Sequence, residues 1–71
     1  MAPYAKSLRE ALKSVGASYI TIRSKESGGF MFAVALVDDL NAAQEAQLLA
    51  DTSVTVERDP WGERAEVRYY G

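Results

Sequence analysis

The hydrophobic pattern is densest at residues 30–37, where eight consecutive apolar residues follow a glycine pair. A half-exposed antiparallel strand alternates apolar and polar residues, whereas an unbroken apolar run is typical of a strand that is covered on both faces. A chain of 71 residues has little material for a second covering layer. We therefore expect one face of this strand to meet another molecule, most readily a second copy of the chain.

The segment Pro3 to Val15 has the period of an amphipathic helix. Proline suits the first turn of a helix, and Gly16 supplies the left-handed residue that commonly closes one. The predicted buried face of this helix consists of Tyr4, Leu8, Ala11, Leu12 and Val15.

A second helix is predicted from Ala42 to Ala50, a stretch rich in Ala, Gln, Glu and Leu. Asn41 and Gln44 have the spacing of a capping box at its start. Its predicted buried face consists of Ala42, Ala46, Leu49 and Ala50.

The remaining segments alternate apolar and polar residues, as half-buried strands do. Residues 18–24 and 54–57 each place apolar side chains on one side, and residues 63–70 do the same after the turn sequence Asp-Pro-Trp-Gly at 59–62. The polar segment 25–29 predicts a hairpin connection. The element order is αββαββ, which predicts one α+β domain over residues 1–71: a four-stranded antiparallel sheet with two helices on one face.

The apolar strand has one bulky and one small side, and only one of them can lie under the helices. We expect the bulky side, Phe30, Phe32, Val34 and Leu36, to be the buried one. The small side would then form a self-association face with the last tyrosine, made of Met31, Ala33, Ala35, Val37 and Tyr70. Alternatively, the methylene stems of Arg23, Arg64 and Arg68 cover that open face.

The composition excludes several kinds of chemistry. The chain has no Cys and no His, so it offers neither disulfides nor the common zinc ligands, and its serines have no imidazole base. We predict a non-enzymatic protein with no catalytic residues, no metal site and no cofactor. No segment has the length of a membrane span or a signal peptide, which favours a soluble cytoplasmic protein and no membrane partner.

Charge is distributed unevenly along a chain whose net charge is −2. The first 29 residues carry five basic and two acidic side chains, and the rest carry three basic and eight acidic ones. Such asymmetry can guide docking, although we expect the interleaving of the two halves to disperse it over the surface.

Three sets of charged or aromatic residues are candidates for binding a partner. Trp61 lies in the predicted turn, where an exposed indole would favour a protein contact. The basic residues Lys6, Arg9 and Lys13 share a helix face and suggest a weak nucleic-acid interface, which the acidic pI near 4.9 opposes. The acidic set, which would suit a basic partner, consists of Asp38, Asp39, Glu45, Asp51, Glu57 and Asp59.

In size, acidity and lack of cysteine, the whole chain resembles small phage-encoded inhibitors of the anti-CRISPR kind. This resemblance is one of composition and includes no shared motif. It implies binding to a host protein complex, with the acidic set occupying a basic surface otherwise used by nucleic acid. A regulatory or structural homodimerisation module and a weak nucleic-acid binder are the alternatives.

Overall fold

A computed structural model describes residues 3–60 and 64–70. Its elements follow the predicted order αββαββ, so the predicted α+β class is confirmed. They are α1 (Pro3–Ser14), β1 (Tyr19–Ser27), β2 (Phe30–Val37), α2 (Ala42–Leu49), β3 (Val54–Arg58) and β4 (Ala65–Tyr69).

Helix α1 ends in the way that its sequence predicts. Gly16 has a φ of 73°, and its N–H donates to the carbonyl of Lys13 at 3.1 Å. The N–H of Ala17 reaches the carbonyl of Leu12 at 2.9 Å. These two bonds form a Schellman motif, which turns the chain out of the helix and towards β1.

Strands β1 and β2 form a hairpin with the shortest common loop. Ser27 pairs with Phe30, which leaves Gly28 and Gly29 as the two loop residues, with φ values of 58° and 85°. Positive φ at both positions defines a type I′ turn, whose twist matches that of the strands. Because this turn needs only two residues, β1 extends to Ser27, beyond the predicted end at Ser24.

The sheet has the strand order β1-β2-β4-β3, and every neighbouring pair is antiparallel. Each hairpin therefore stays on its own side, with β2 and β4 meeting at the centre. Helix α1 packs on β1, β2 and β4, and α2 packs on β3. Both helices cover the same face of the sheet, and side chains of both belong to one core cluster. We call the uncovered side the open face.

The prediction about the two sides of β2 is wrong. Ala33, Ala35 and Val37 are fully buried in the core, in one cluster with Leu8 and Leu12 of α1. The physical reason is distance, because small side chains in the central strand let a helix pack close to the sheet. The bulky side, Phe30, Phe32, Val34 and Leu36, lies on the open face.

The predicted buried face of α2 is also wrong. Leu48 is 3% exposed, whereas its neighbour Leu49 is 45% exposed, and Ala42, Ala46 and Ala50 are exposed as well. A hydrogen bond to the residue after α1 determines which side of α2 faces the core. In this bond, which we call the tether, the side-chain amide of Gln44 donates to the carbonyl of Val15 at 3.3 Å. Residues 44 and 48 lie one turn apart, so anchoring Gln44 turns Leu48 inwards.

Candidate interaction surface

The open face consists of four parallel rows of side chains, one from each strand. The β2 row is apolar, and the β1 row beside it is basic, with Arg23 opposite Val34 and Lys25 opposite Phe32. On the other side, the β4 row places Arg68 opposite Val34 and Glu66 opposite Leu36. In the outer β3 row, Glu57 lies opposite Glu66.

The apolar row is most exposed where the β1–β2 hairpin extends past its neighbours. The pairing of β2 with β4 stops at Ala33, so Phe30 has no partner strand on that side and is 74% exposed. The rings of Phe32 and Tyr70 stack, with centroids 5.2 Å apart, and Tyr70 is 44% exposed. We call Phe30, Phe32, Leu36 and Tyr70 the open-face strip.

Val34 shows that arginine stems cover part of this face, as one alternative predicted. Although it points away from the helices, Val34 is only 8% exposed, and it lies between Arg23 and Arg68 in the sheet register. Coverage is therefore confined to Val34, in the middle of the β2 row. The ends remain open, at Phe30 on one side and around Leu36 on the other, where a shallow groove also involves Glu57 and Arg64.

The guanidinium of Arg68 is positioned on the open face by two carboxylates. It lies 3.0 Å from the carboxylate of Glu66 and 3.8 Å from that of Glu57. Interactions with the side chains of Tyr70 and Glu66 raise the pKa of Arg68 above its ordinary value. The Nε atom of Arg68 is buried and has no hydrogen-bond partner among the described residues.

The predicted self-association face is divided between the two sides of the sheet. Its members Ala33, Ala35 and Val37 belong to the core. Met31 is half exposed, but it alternates with Phe30 and Phe32 and so lies on the helix side of the projecting hairpin. Of the five predicted residues, Tyr70 alone lies on the open face. The predicted face omits Phe30 and Phe32, because large apolar side chains are expected to be the buried ones.

Most of the predicted acidic set lies near one end of the sheet. Asp38 and Asp59 directly follow Val37 and Arg58, and both of those residues pair with Ala65. Glu45 joins the same end through its ion pair with Arg58, with an N–O distance of 2.5 Å.

The other members of the acidic set have different surroundings. Asp39, with a φ of 57°, is in the turn after β2, and Glu57 is on the open face. Asp51 precedes β3 at the opposite end of the sheet, where its carboxylate accepts from the N–H of Ser53 at 2.9 Å. The set is thus not one uniform patch, since Glu45 and Asp51 already have structural partners.

The charge asymmetry along the chain is partly retained in the fold, because the two halves do not interleave as expected. Strand β1 forms one edge of the sheet and α1 packs across β1, β2 and β4. Together these two elements carry five basic and two acidic side chains. The segment 38–60 begins at the end of β2, beside β1, and continues into α2 and then into β3 at the opposite edge. It carries six acidic side chains and one basic. The halves of the chain do not interleave, because each hairpin keeps to its own edge of the sheet.

The remaining predicted contact, Trp61, lies outside the described residues. Within residues 3–60 and 64–70, no cluster of acidic side chains could hold a metal ion. The described helices are also too short or too polar to cross a membrane.

Comparisons with protein-family models, with curated proteins and with solved structures found no match to this chain. The case for its function therefore comes from its own surface.

Proposed function

We propose that the chain is a non-enzymatic protein-interaction module that binds its partner through the open-face strip. The observation that carries this proposal is Phe30, a large aromatic side chain that is 74% exposed at the projecting end of a hairpin. Exposed apolar patches on small proteins mark interaction sites. A protein partner suits this surface because its rings lie on a broad sheet face, whereas small ligands favour enclosed pockets.

The first partner that we propose is a second copy of the chain. The apolar row runs along one strand, so a two-fold axis parallel to β2 would place the row of one copy on the row of the other. The four strands have nine, eight, five and five residues. At about 3.3 Å per residue and about 4.8 Å between strands, they give a face of roughly 430 Å² in projection. This is smaller than the roughly 800 Å² per partner of a typical stable interface, so we expect a weak, concentration-dependent homodimer.

We call the β3 edge of the sheet, with the acidic segment 38–60 that leads into it, the acidic edge. It supports a second candidate function, an inhibitor that docks on a basic protein surface. The favouring observation is the charge asymmetry described above. Such a surface would steer the chain towards a basic partner and raise the association rate. The proposed inhibitor would act in the cytoplasm, in keeping with the resemblance to phage-encoded inhibitors of the anti-CRISPR kind.

Photocrosslinking in the cells that produce the chain tests the protein-interaction proposal. A photoreactive phenylalanine at Phe30 should give protein adducts, which include a second copy of the chain if it dimerises. The matched control carries the same group at Ala43, an exposed position on α2. Equal adduct yields at the two positions, or no protein adducts from Phe30, would exclude the open-face strip as the binding surface.

A further inference from the structure

The basic side chains of α1 form a stripe that the fold leaves available. Lys6, Arg9 and Lys13 are exposed and share one side of the helix through their i, i+3 and i+7 spacing. In the part of the chain that the structure describes, the ion pairs involve Arg58 and Arg68 and none of these three. Their charges are therefore free to meet an anion from outside.

An open groove of about 400 Å³ lies between the second half of α1 and the start of β1. Arg9 and Lys13 line one side of it, one helical turn apart, which puts their Cβ atoms about 5–6 Å from each other. Tyr19 contributes an aromatic ring that is 39% exposed. Ala17 and Ser18 complete the lining. The groove thus combines two cations with an aromatic surface.

The end of α1 beside this groove has few free carbonyls to repel an anion. A helix C-terminus normally carries partial negative charge on its unpaired carbonyl groups. Here the carbonyls of Leu12 and Lys13 accept from the Schellman N–H groups, and the carbonyl of Val15 accepts from Gln44. This helix end therefore presents few unpaired carbonyl groups to an anion bound in the groove.

Carboxylates lie both near the groove and far from it. Glu10 is next to Arg9 on α1, and Asp38 directly follows Val37, the residue that pairs with Tyr19. Strand β3, at the acidic edge, is three strand spacings from β1, which is about 14 Å. The Debye length at physiological salt is about 8 Å, so exposed charges at that separation are largely screened. The charge at the groove is thus set by Arg9, Lys13 and the nearby carboxylates rather than by the acidic residues at β3.

We propose that the groove binds single-stranded nucleic acid, with Arg9 and Lys13 on adjacent phosphates and Tyr19 stacked on a base. Paired cations beside an exposed ring are typical of single-strand grooves, where bases stack and phosphates track the positive charge. An acidic peptide would use the cations but not the face of the ring. Arg23 and Lys25, further along β1, lie on the open face and are not part of this groove. The groove is separate from the open-face strip.

Fluorescence anisotropy with a labelled oligothymidylate of about 12 nucleotides tests the proposal. Arg9→Glu and Lys13→Glu should each weaken binding about tenfold at low salt and reduce the logarithmic salt slope by about 0.7, the value for one lost single-strand phosphate contact. The matched control is Arg64→Glu, which makes the same charge change at an exposed site near the acidic edge. This control should leave both the affinity at low salt and the salt slope nearly unchanged.

The aromatic contact has its own pair of variants. Tyr19→Leu should weaken binding, whereas Tyr19→Phe, which keeps the aromatic ring, should not. Equal losses for Arg9→Glu and Arg64→Glu, or no detectable binding at low salt, would overturn the proposal. So would polyglutamate that binds as tightly as the oligonucleotide, because that result would assign the groove to acidic peptides. Circular dichroism of each variant verifies that it is folded.

Discussion

Side-chain size decides which side of β2 faces the helices. Ala33 and Ala35 are the smallest residues of the strand, and both are fully buried under α1. Phe30 and Phe32, the largest, lie on the side where no helix limits the space. Hydrophobicity alone could not distinguish these sides, because all eight residues of the strand are apolar. In a central strand under a close-packed helix, the volume of the side chains determines which side of the strand is buried.

A charge placed on each side of β2 tests this assignment. Ala35→Asp should prevent folding, because an unpaired carboxylate in the core costs several kcal/mol. Phe30→Asp should leave the melting temperature nearly unchanged, since residue 30 is already mostly in water. Thermal unfolding followed by circular dichroism measures both variants. A folded Ala35→Asp together with an unfolded Phe30→Asp would mean that the two sides are reversed.

The hairpin turn gives a second residue-scale prediction. Gly28 and Gly29 both have positive φ, and a Cβ added at either position has nothing within 4 Å, so we expect the backbone conformation to decide the outcome. Gly29→Val should cost about 1–2 kcal/mol in unfolding free energy. Gly28→Asn should be nearly neutral, because Asn-Gly is a preferred type I′ pair. Urea titration provides the measurement, and equal losses for the two variants would argue against this turn type.

At the scale of elements, the caps and turns were the most predictable features. Gly16 closes α1 and Asn41 opens α2, as their sequence signatures indicate. These signals are readable because they depend on local hydrogen bonds within a few residues. The side of α2 that faces the core could not be predicted from the sequence. It depends on the hydrogen bond from Gln44 to Val15, whose partners are 29 residues apart.

Two bonds at the start of α2 form the predicted capping box. The N–H of Gln44 donates to the side chain of Asn41 at 2.8 Å, and the N–H of Asn41 donates back to the side chain of Gln44 at 3.1 Å. Asn41→Ala should therefore destabilise the protein by about 1 kcal/mol.

Gln44→Ala should cost at least as much, because it also removes the tether to α1. Gln47→Ala is the control, at an exposed position of the same helix. Urea titration compares the three variants. A Gln44→Ala variant as stable as Gln47→Ala would contradict the role given to the tether.

At the scale of the whole molecule, strand order turns a sequence asymmetry into a spatial one. The fold class, the element order and the placement of both helices on one face followed from hydrophobic periodicity and turn residues. Which side of β2 forms the open face did not follow from the sequence, because it depends on how closely α1 packs against the sheet. Nor did the retained charge asymmetry, which requires the order β1-β2-β4-β3.

Light scattering coupled to size exclusion tests most directly the central claim that the open face binds a second copy. Over a hundredfold range of concentration, the native chain should rise from 7.8 kDa towards twice that mass. Phe30→Asp, which should remain folded, is expected to stay monomeric over the same range, and Ala43→Asp on the exposed side of α2 should behave as the native chain does. A native chain that stays at 7.8 kDa throughout, or a Phe30→Asp variant that dimerises equally well, would contradict the account.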